Sequence, residues 1–303
     1  MKKTIAVLLC VAMAIVILTG CRGRQEKAAG ADYRIALITM DLLDQHWVAL
    51  EDGAKRAAEE LGCEVINMSP NIKDDILQIE QINNAVASGC HAIVIAANSP
   101  DVVSSALEEA VAAGVKLVYV DSPANVEAEA TFCTNNKAAG KTAGETMIAE
   151  LEARGITGGA IGIVNVNDAT DSTLQREAGF REAFAGKAYT LLQTQYGEGD
   201  FAKSQTIAEN YIAQGAVGIF GCNEGSTNGA GNAVKAAGSS AVAVGFDKSD
   251  AIMGLIEDGF ILATMDQNPD VMGYEGVKAA VAALNGASLG GAVTDTGVSV
   301  LTG

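Results

Sequence analysis

Five positions of this chain recur at a nearly constant offset, and that duplication limits the architectures open to it. Ile35-Ala-Leu-Ile lies 126 residues before Ile161-Gly-Ile-Val. Gly53 precedes Gly179, Gly89 precedes Gly215 and Asp121 precedes Asp247 by the same 126, and Asn98 precedes Asn223 by 125. The stretch from Gly89 to Ser122 runs strand, asparagine, helix ending in Ala-Gly, then a strand ending in Asp-Ser. Gly215 to Ser249 repeats that order. Unrelated strand–helix units would alternate too, but they would not hold one register over five positions. The chain therefore predicts two similar lobes.

Within each lobe, apolar runs alternate with helical patterns. Strands are expected at Ile35–Thr39, from Val65, at Ala92–Ala97 and at Lys116–Val120. Helices are expected from about Trp47 to Leu61, Ile76 to Ser88 and Val102 to Ala113. Continuous apolar strands joined by amphipathic helices imply a parallel sheet covered on both faces, so each lobe reads as a doubly wound α/β sheet. Ligands of open α/β sheets bind beyond the carboxyl ends of the strands. Asn98 and Asp121 follow strand runs in the first half, and Asn223 and Asp247 follow them in the second. If the lobes face each other, four polar side chains converge on one cleft. Each aspartate could instead cap a following turn.

The N-terminus bears on compartment. Lys2 and Lys3 precede an apolar run from Ile5 to Leu18, about 14 residues and too short for an ordinary membrane span. The run ends in Leu18-Thr19-Gly20-Cys21. This resembles the lipobox of bacterial lipoproteins, in which the cysteine becomes the mature N-terminus and carries lipid; an ordinary secretory signal with a chance cysteine is the alternative. The resemblance implies a signal peptide over residues 1–20, lipid on Cys21, and a polar tether over 21–31. Cleavage would leave 283 residues, enough for two domains of ordinary size. The loss of Lys2 and Lys3 takes the basic count from 20 to 18 against 37 acids, a net charge of −19. That surface argues against a nucleic-acid partner.

Cys63, Cys90, Cys133 and Cys222 match no metal spacing and form no CxxC pair, so buried apolar packing is expected; a disulfide is left open. Two histidines in the chain argue against a histidine metal site. There is no P-loop, no GxGxxG after a strand and no nucleophile–base motif. Gly221-Cys-Asn-Glu-Gly225 could be a cysteine elbow, but its repeat partner at Asn98 carries no cysteine. Neither a cofactor nor catalysis is expected.

Several segments in order carry a wider resemblance: Trp47-Val-Ala-Leu-Glu-Asp-Gly-Ala, Ala-Gly-Val-Lys-Leu-Val-Tyr-Val-Asp121, Thr134-Asn-Asn-Lys-Ala-Ala-Gly140, Arg176-Glu-Ala-Gly-Phe180, Val244-Gly-Phe-Asp247 and Ala263-Thr-Met-Asp-Gln267. From about residue 32 the chain resembles the ribose- and galactose-type solute-binding proteins of bacterial ABC importers, the periplasmic binding proteins of type I. The resemblance implies three hinge crossings, near Thr134–Asn136, Asp266–Asn268 and Val293–Gly297. The first lobe would be 32–134 plus 268–295, and the second 135–267 plus 296–303. It also implies a monomer whose partners are a small polar ligand, a sugar by family, and a membrane permease.

Pocket positions carry over one at a time. The loop after the first strand reads Asp44-Gln45-His46-Trp47. Trp47 would lay its face on the C–H face of a sugar ring, or else pack in the core. His46 would donate to a hydroxyl, or else sit on a surface loop. Asp121 and Asp247 would accept pairs of hydroxyls. Asn98, Asn136, Asn223 and Gln267 match amide positions, and Tyr196 would be an opposing aromatic wall. The family's clamping arginine aligns with Leu174, so Gln175 is expected in its place, with Thr173 or Asp171 within reach, and Arg176 is expected to be structural. Three alternatives share the clam-shell: a sensor for a membrane kinase or chemoreceptor, a binder of another polyol or a nucleoside, and a sugar-responsive repressor. The last would need a helix-turn-helix where this chain has its apolar leader.

Overall fold

The apolar runs become strands because helices cover both of their faces. The computed structural model describes residues 32–303, so the leader, Cys21 and the rest of the tether lie outside the described residues. The first half runs β1 (Arg34–Ile38), α1 (Gln45–Leu61), β2 (Glu64–Asn67), α2 (Asp75–Ala87), β3 (Ala92–Ile95), α3 (Pro100–Ala112), β4 (Lys116–Val120) and β5 (Ala130–Cys133). The second runs α4 (Asn136–Ala153), β6 (Gly159–Asn165), α5 (Asp171–Ala183), β7 (Tyr189–Leu191), β8 (Gln195–Tyr196), α6 (Phe201–Ala213), β9 (Ala216–Gly221), α7 (Glu224–Ala237), β10 (Val242–Phe246), α8 (Asp250–Glu257) and β11 (Ala263–Asp266). Then come α9 (Pro269–Leu284), β12 (Ala292–Asp295) and β13 (Ser299–Thr302).

The first sheet has the order β12-β5-β4-β3-β1-β2, with parallel pairing throughout. The second has the order β13-β11-β10-β9-β6-β7, with β8 added beside β6 and β13 antiparallel. Period-two alternation sends Ile35 and Leu37 into one core with Leu50, Ala54, Met272 and Val277. It sends Ala36 and Ile38 into the other with Ile82, Val103 and Leu107. The second lobe repeats the scheme, with Phe180 stacked on Phe220 at 4.1 Å beneath α4 and α5.

Helix starts fall one to two residues earlier than the sequence pattern predicts. Asp74 caps α2 by accepting from the Ile76 and Leu77 amides. Pro100 enters the first turn of α3, where its missing N–H costs nothing. β3 ends at Ile95, short of the expected Ala97, because the Ala96 carbonyl turns to accept from Gln78 at 2.9 Å.

The repeated positions have matching jobs. Gly53 of α1 lies so close to α9 that a Cβ there would sit 1.9 Å from the Asp270 carbonyl oxygen. Gly179 of α5 does the same to α4, 1.9 Å from the Lys137 oxygen. The two strand-end aspartates share a left-handed backbone, φ 58° at Asp121 and 72° at Asp247. The chain passes between the sheets after Cys133, Asp266 and Asp295, and the three passages bond to one another. Asn135 N donates to Asp295 Oδ1 (3.1 Å), Thr296 N to the Cys133 carbonyl (2.9 Å) and Asn268 Nδ2 to the Thr296 carbonyl (3.0 Å).

A methyl group at Gly179 must push α5 off α4, an overpacking that costs about 1–3 kcal/mol or more. Gly179→Ala is therefore expected to lower the urea midpoint by that amount. Gly254→Ala meets nothing within 4 Å, and in an exposed helix it is expected to raise stability by up to about 1 kcal/mol. Equal effects of the two substitutions would refute the close-crossing account.

Candidate functional site

Strand ends deliver the first two groups. Asp121 N donates to the Phe132 carbonyl and Asp247 N to the Met265 carbonyl, each at 2.9 Å, so each aspartate is fixed by the neighbouring strand. A left-handed conformation costs a non-glycine residue about 1 kcal/mol or more, and here it turns both carboxylates into the space between the lobes. Both residues are buried.

His46 stands between them. Its Nε2 is 3.1 Å from Asp121 Oδ2 and its Nδ1 is 3.4 Å from Asp247 Oδ1. Its backbone N–H donates to Glu224 Oε2 at 3.0 Å, and Glu224 N in turn donates to Asp247 Oδ2 at 2.9 Å. Arg176, only 2% exposed, closes the other side. Its guanidinium donates to Asn136 Oδ1 (2.8 Å), the Cys222 carbonyl (3.0 Å) and Gln267 Oε1, and lies over the Phe246 ring at 4.5 Å. It is 3.7 Å from Asp121 and 4.0 Å from Asp247. Gln267 donates its amide to Asp247 Oδ1. Two buried carboxylates thus lie between two cations, and unpaired charges of this depth would be far more costly.

Burial alone would raise the Asp121 carboxyl, but its hydrogen bond to His46 and the charges of His46 and Arg176 hold it well below the usual carboxylate range. Burial opposes the charged His46 ring, yet Asp247 and Asp121 together lift it above its ordinary value. Glu224 is pushed up to about 8 by burial and by the charge of Asp44. Further out, Lys73 bridges Asp41 and Asp44, with 2.7 Å to the latter. Burial works against the Lys73 ammonium, and the two carboxylates still raise it.

The lobes touch at more than the charges. Ser122 Oγ lies 2.7 Å from Ser172 Oγ, Thr170 Oγ1 donates to the Asn98 carbonyl (2.9 Å), and Asp250 N donates to Gln45 Oε1 (3.0 Å). The chamber they enclose has about 20 Å³ of free space. A surface hollow of about 740 Å³ near Lys116 and Gly291 is far larger, but it gathers no comparable set of polar side chains.

Of the expected pocket residues, Asp44, His46, Trp47, Asp121, Asn223, Asp247 and Gln267 line this chamber, as does Thr173. Asn136 reaches it through Arg176. Trp47 belongs to the first lobe's core as well, 6% exposed, with His46 edge-on at 4.6 Å. Asn98 turns its amide to Asp75. Gln175 is exposed and, with Asp171, lines the outside of the hinge. Tyr196 is 39% exposed on the edge of the second sheet and stays out of the chamber.

Arg176 corrects an expectation: it is at the heart of the cleft, not a structural residue alone. It precedes Gly179 by three positions, so it shares the face that Thr173 and Gly179 bury, and that periodicity was the available signal. Glu224 and Lys73 were also missed. Glu224 directly follows Asn223 in the first turn of α7; nothing in the sequence singles out Lys73. The four described thiols are free. Burial raises the Cys222 thiol well above its ordinary value, which removes the nucleophile that a cysteine elbow would need.

A family profile described as periplasmic binding protein domain matches residues 35–288. The chain is 27% identical over 293 residues to the D-ribose/D-allose-binding protein of Pseudomonas aeruginosa, covering 90% of this chain and 91% of that protein. It is 27% identical over 271 residues to the ribose import binding protein of Haemophilus influenzae, covering 86% and 89%. Among solved structures, a carbohydrate transporter solute-binding protein from Agrobacterium radiobacter in complex with D-arabinose superimposes with a TM-score of 0.85 at 27% identity, covering 90% and 95%. A solute-binding protein from Agrobacterium vitis with bound α-D-tagatopyranose gives 0.84 at 26%, covering 89% and 94%.

His46 and Glu224 both hold protons more tightly in the folded chain than in the unfolded one. Between about pH 4.5, where an unfolded glutamate titrates, and pH 8, the folded state binds the greater number of protons, so stability falls as pH rises. Urea midpoints measured from pH 5 to 8.5 are expected to decline, and Glu224→Gln to flatten the decline. A midpoint that rises with pH across this window, unaltered by Glu224→Gln, would contradict the assignment.

Proposed function

The chain belongs to the periplasmic binding protein domain family, and from that premise we propose that it is the substrate-binding component of an ABC importer that captures a monosaccharide by closing its two lobes. One observation carries this reading: Asp121 and Asp247, at equivalent strand ends of the two lobes, face one chamber together with Arg176, His46, Asn223 and Gln267. Carboxylates accept adjacent hydroxyls, and amides and guanidinium donate to ring and hydroxyl oxygens. The relatives support the choice of ligand class, since the proteins they match bind or import ribose, allose, arabinose and tagatose by their names.

Closure supplies the mechanism. The ligand exchanges water for hydrogen bonds that only the closed form offers, so it shifts the population of lobes toward that form. A buried hydroxyl left without a partner costs about 1–3 kcal/mol, so an epimer is rejected because it strands both its own group and one of the protein's. A permease then needs to recognise only the closed shape. The family is one of substrate-binding transport proteins, and the site needs no covalent step.

Thermal-shift screening against aldoses, ketoses, polyols and nucleosides tests the reading. A ligand at a hundred times its Kd adds about 2.7 kcal/mol to folded stability, which is several degrees in Tm for a chain of this size. At least one monosaccharide is expected to produce that shift, and Asp121→Ala and Asp247→Ala each to abolish it. A shift that survives both substitutions sinks the site. The Thr19-Gly20-Cys21 segment supports a lipid anchor on Cys21. The wild-type chain is expected to incorporate labelled fatty acid in an expressing bacterium and Cys21→Ser to lose that label; a wild-type chain without label, or a serine variant that keeps it, would refute the anchor.

A further inference from the structure

The position of His46 says more about the ligand than that it is polar. One ring nitrogen faces each aspartate, at 3.1 Å from Asp121 and 3.4 Å from Asp247. A neutral imidazole carries a single N–H, so in either tautomer its bare nitrogen would oppose a carboxylate lone pair. Nε2 makes the hydrogen bond, to Asp121, while Nδ1 stands at ion-pair distance from Asp247, and only the doubly protonated ring is attracted to both. The space between the two strand-end aspartates, one from each lobe, is therefore built to hold a cation.

A ligand must contend with that cation. The chamber's free space of about 20 Å³ suits one water molecule, so a monosaccharide enters only as the lobes open and reclose, and the side chain it can displace is the one least tied down. Arg176 is tied to Asn136, the Cys222 carbonyl and Gln267, and is backed by Phe246. His46 is held through its ring by the two aspartates and the edge of Trp47, and it is the group that can give way. Once it leaves, Arg176 alone answers two buried carboxylates. The surroundings do not make up the difference: a cavity of about 360 Å³ adjoins the chamber through Asp44 and Lys73, and it sets Asp41, Asp44, Glu198, Asp200 and Glu224 around that single lysine. Such a mouth draws cations and repels anions.

A second observation concerns the rest of the ligand. Trp47 Nε1 and Asn223 Nδ2 are buried donors with no acceptor among the described residues, and both residues line the chamber at 6% and 5% exposure. Buried donors of this kind call for oxygen acceptors. The ligand must thus offer hydroxyl or ring oxygens and a positive charge together.

We propose that the site takes an amino sugar, or a small polyol of the same chemistry, whose ammonium replaces the His46 imidazolium between Asp121 and Asp247 while its oxygens accept from Trp47 and Asn223. This rests on the sugar-receptor reading and narrows it. A neutral sugar would leave the displaced cation's place to hydroxyl dipoles; an ammonium restores the charge.

Calorimetric titration of the purified chain at pH 6.5 tests it with glucosamine, galactosamine and mannosamine, each against its parent hexose and its N-acetyl derivative. One amine is expected to bind at least tenfold tighter than both of its neutral counterparts, and the preference to collapse in Asp121→Asn and Asp247→Asn. A parent sugar that binds as tightly as its amine overturns the proposal and leaves the sugar-receptor reading standing. Silence from the whole panel overturns the amine proposal, and the sugar-receptor reading falls with it only if the wider thermal-shift screen is silent too. A preference that persists in both asparagine variants puts the charge elsewhere and overturns the ammonium's position. Should either variant fail to fold by circular dichroism, the wild-type ratio of amine to N-acetyl derivative decides alone.

Discussion

Everything at the centre of this molecule answers to the cost of burying charge. Asp121, Asp247, Arg176 and His46 are each almost sealed from water, and an ion in that position without a partner costs several kcal/mol. No element supplies a neutral group by itself. The first lobe brings Asp121 and His46; the second brings Asp247 and Arg176. Each half sums to neutral, but its charges also pair across the gap, His46 with Asp247 at 3.4 Å and Arg176 with Asp121 at 3.7 Å, and so the same constraint that fixes the site also governs how the lobes stand. The left-handed aspartates, the Gln267 bridge and the bond from the His46 amide to Glu224 are details of meeting it.

The duplication made most of the architecture legible. Alternating apolar runs gave parallel strands with two covered faces, and the 126-residue offset marked the glycines on which helices cross and the aspartates that end β4 and β10. These features follow from local pattern and from packing rules that act identically in both halves. Boundaries were less visible, since helix starts depend on single capping side chains such as Asp74 and on the tolerance of Pro100 for a first turn.

The site was harder to read because it departs from the symmetry that revealed it. Stepping back 126 residues from Arg176 lands on Leu50, a fully buried core residue, so the duplication argues for packing at the very position where the second lobe places its cation. Neighbours on a helix point about 100° apart, so of Leu174, Gln175 and Arg176 only one can aim squarely at the cleft, and the burial of Gly179 and Thr173 selects Arg176. The expectation for Gln175 ignored that phase. Tyr196 failed for a different reason: its two-residue strand is an addition to the edge of the second sheet, which apolar periodicity over so short a span does not reveal. Lys73 matters through its pairing with Asp41 and Asp44, and such pairing is a property of the folded loops alone.

The interleaving of the chain between the lobes also sets an order of assembly. The first lobe begins at residue 34 and yet relies on α9 to pack across Gly53 and on β12 to finish the sheet beside β5. A nascent chain that stops before α9 carries a bare face on α1, and one shorter than about 295 residues leaves the β5 edge unpaired. The second lobe has its helices and all but its last strand before that. On a ribosome or at an export pore, the domain that emerges first therefore stays incomplete until almost the whole chain is out, and a chain halted part-way presents protease and chaperone with one half nearly mature and the other still unsealed.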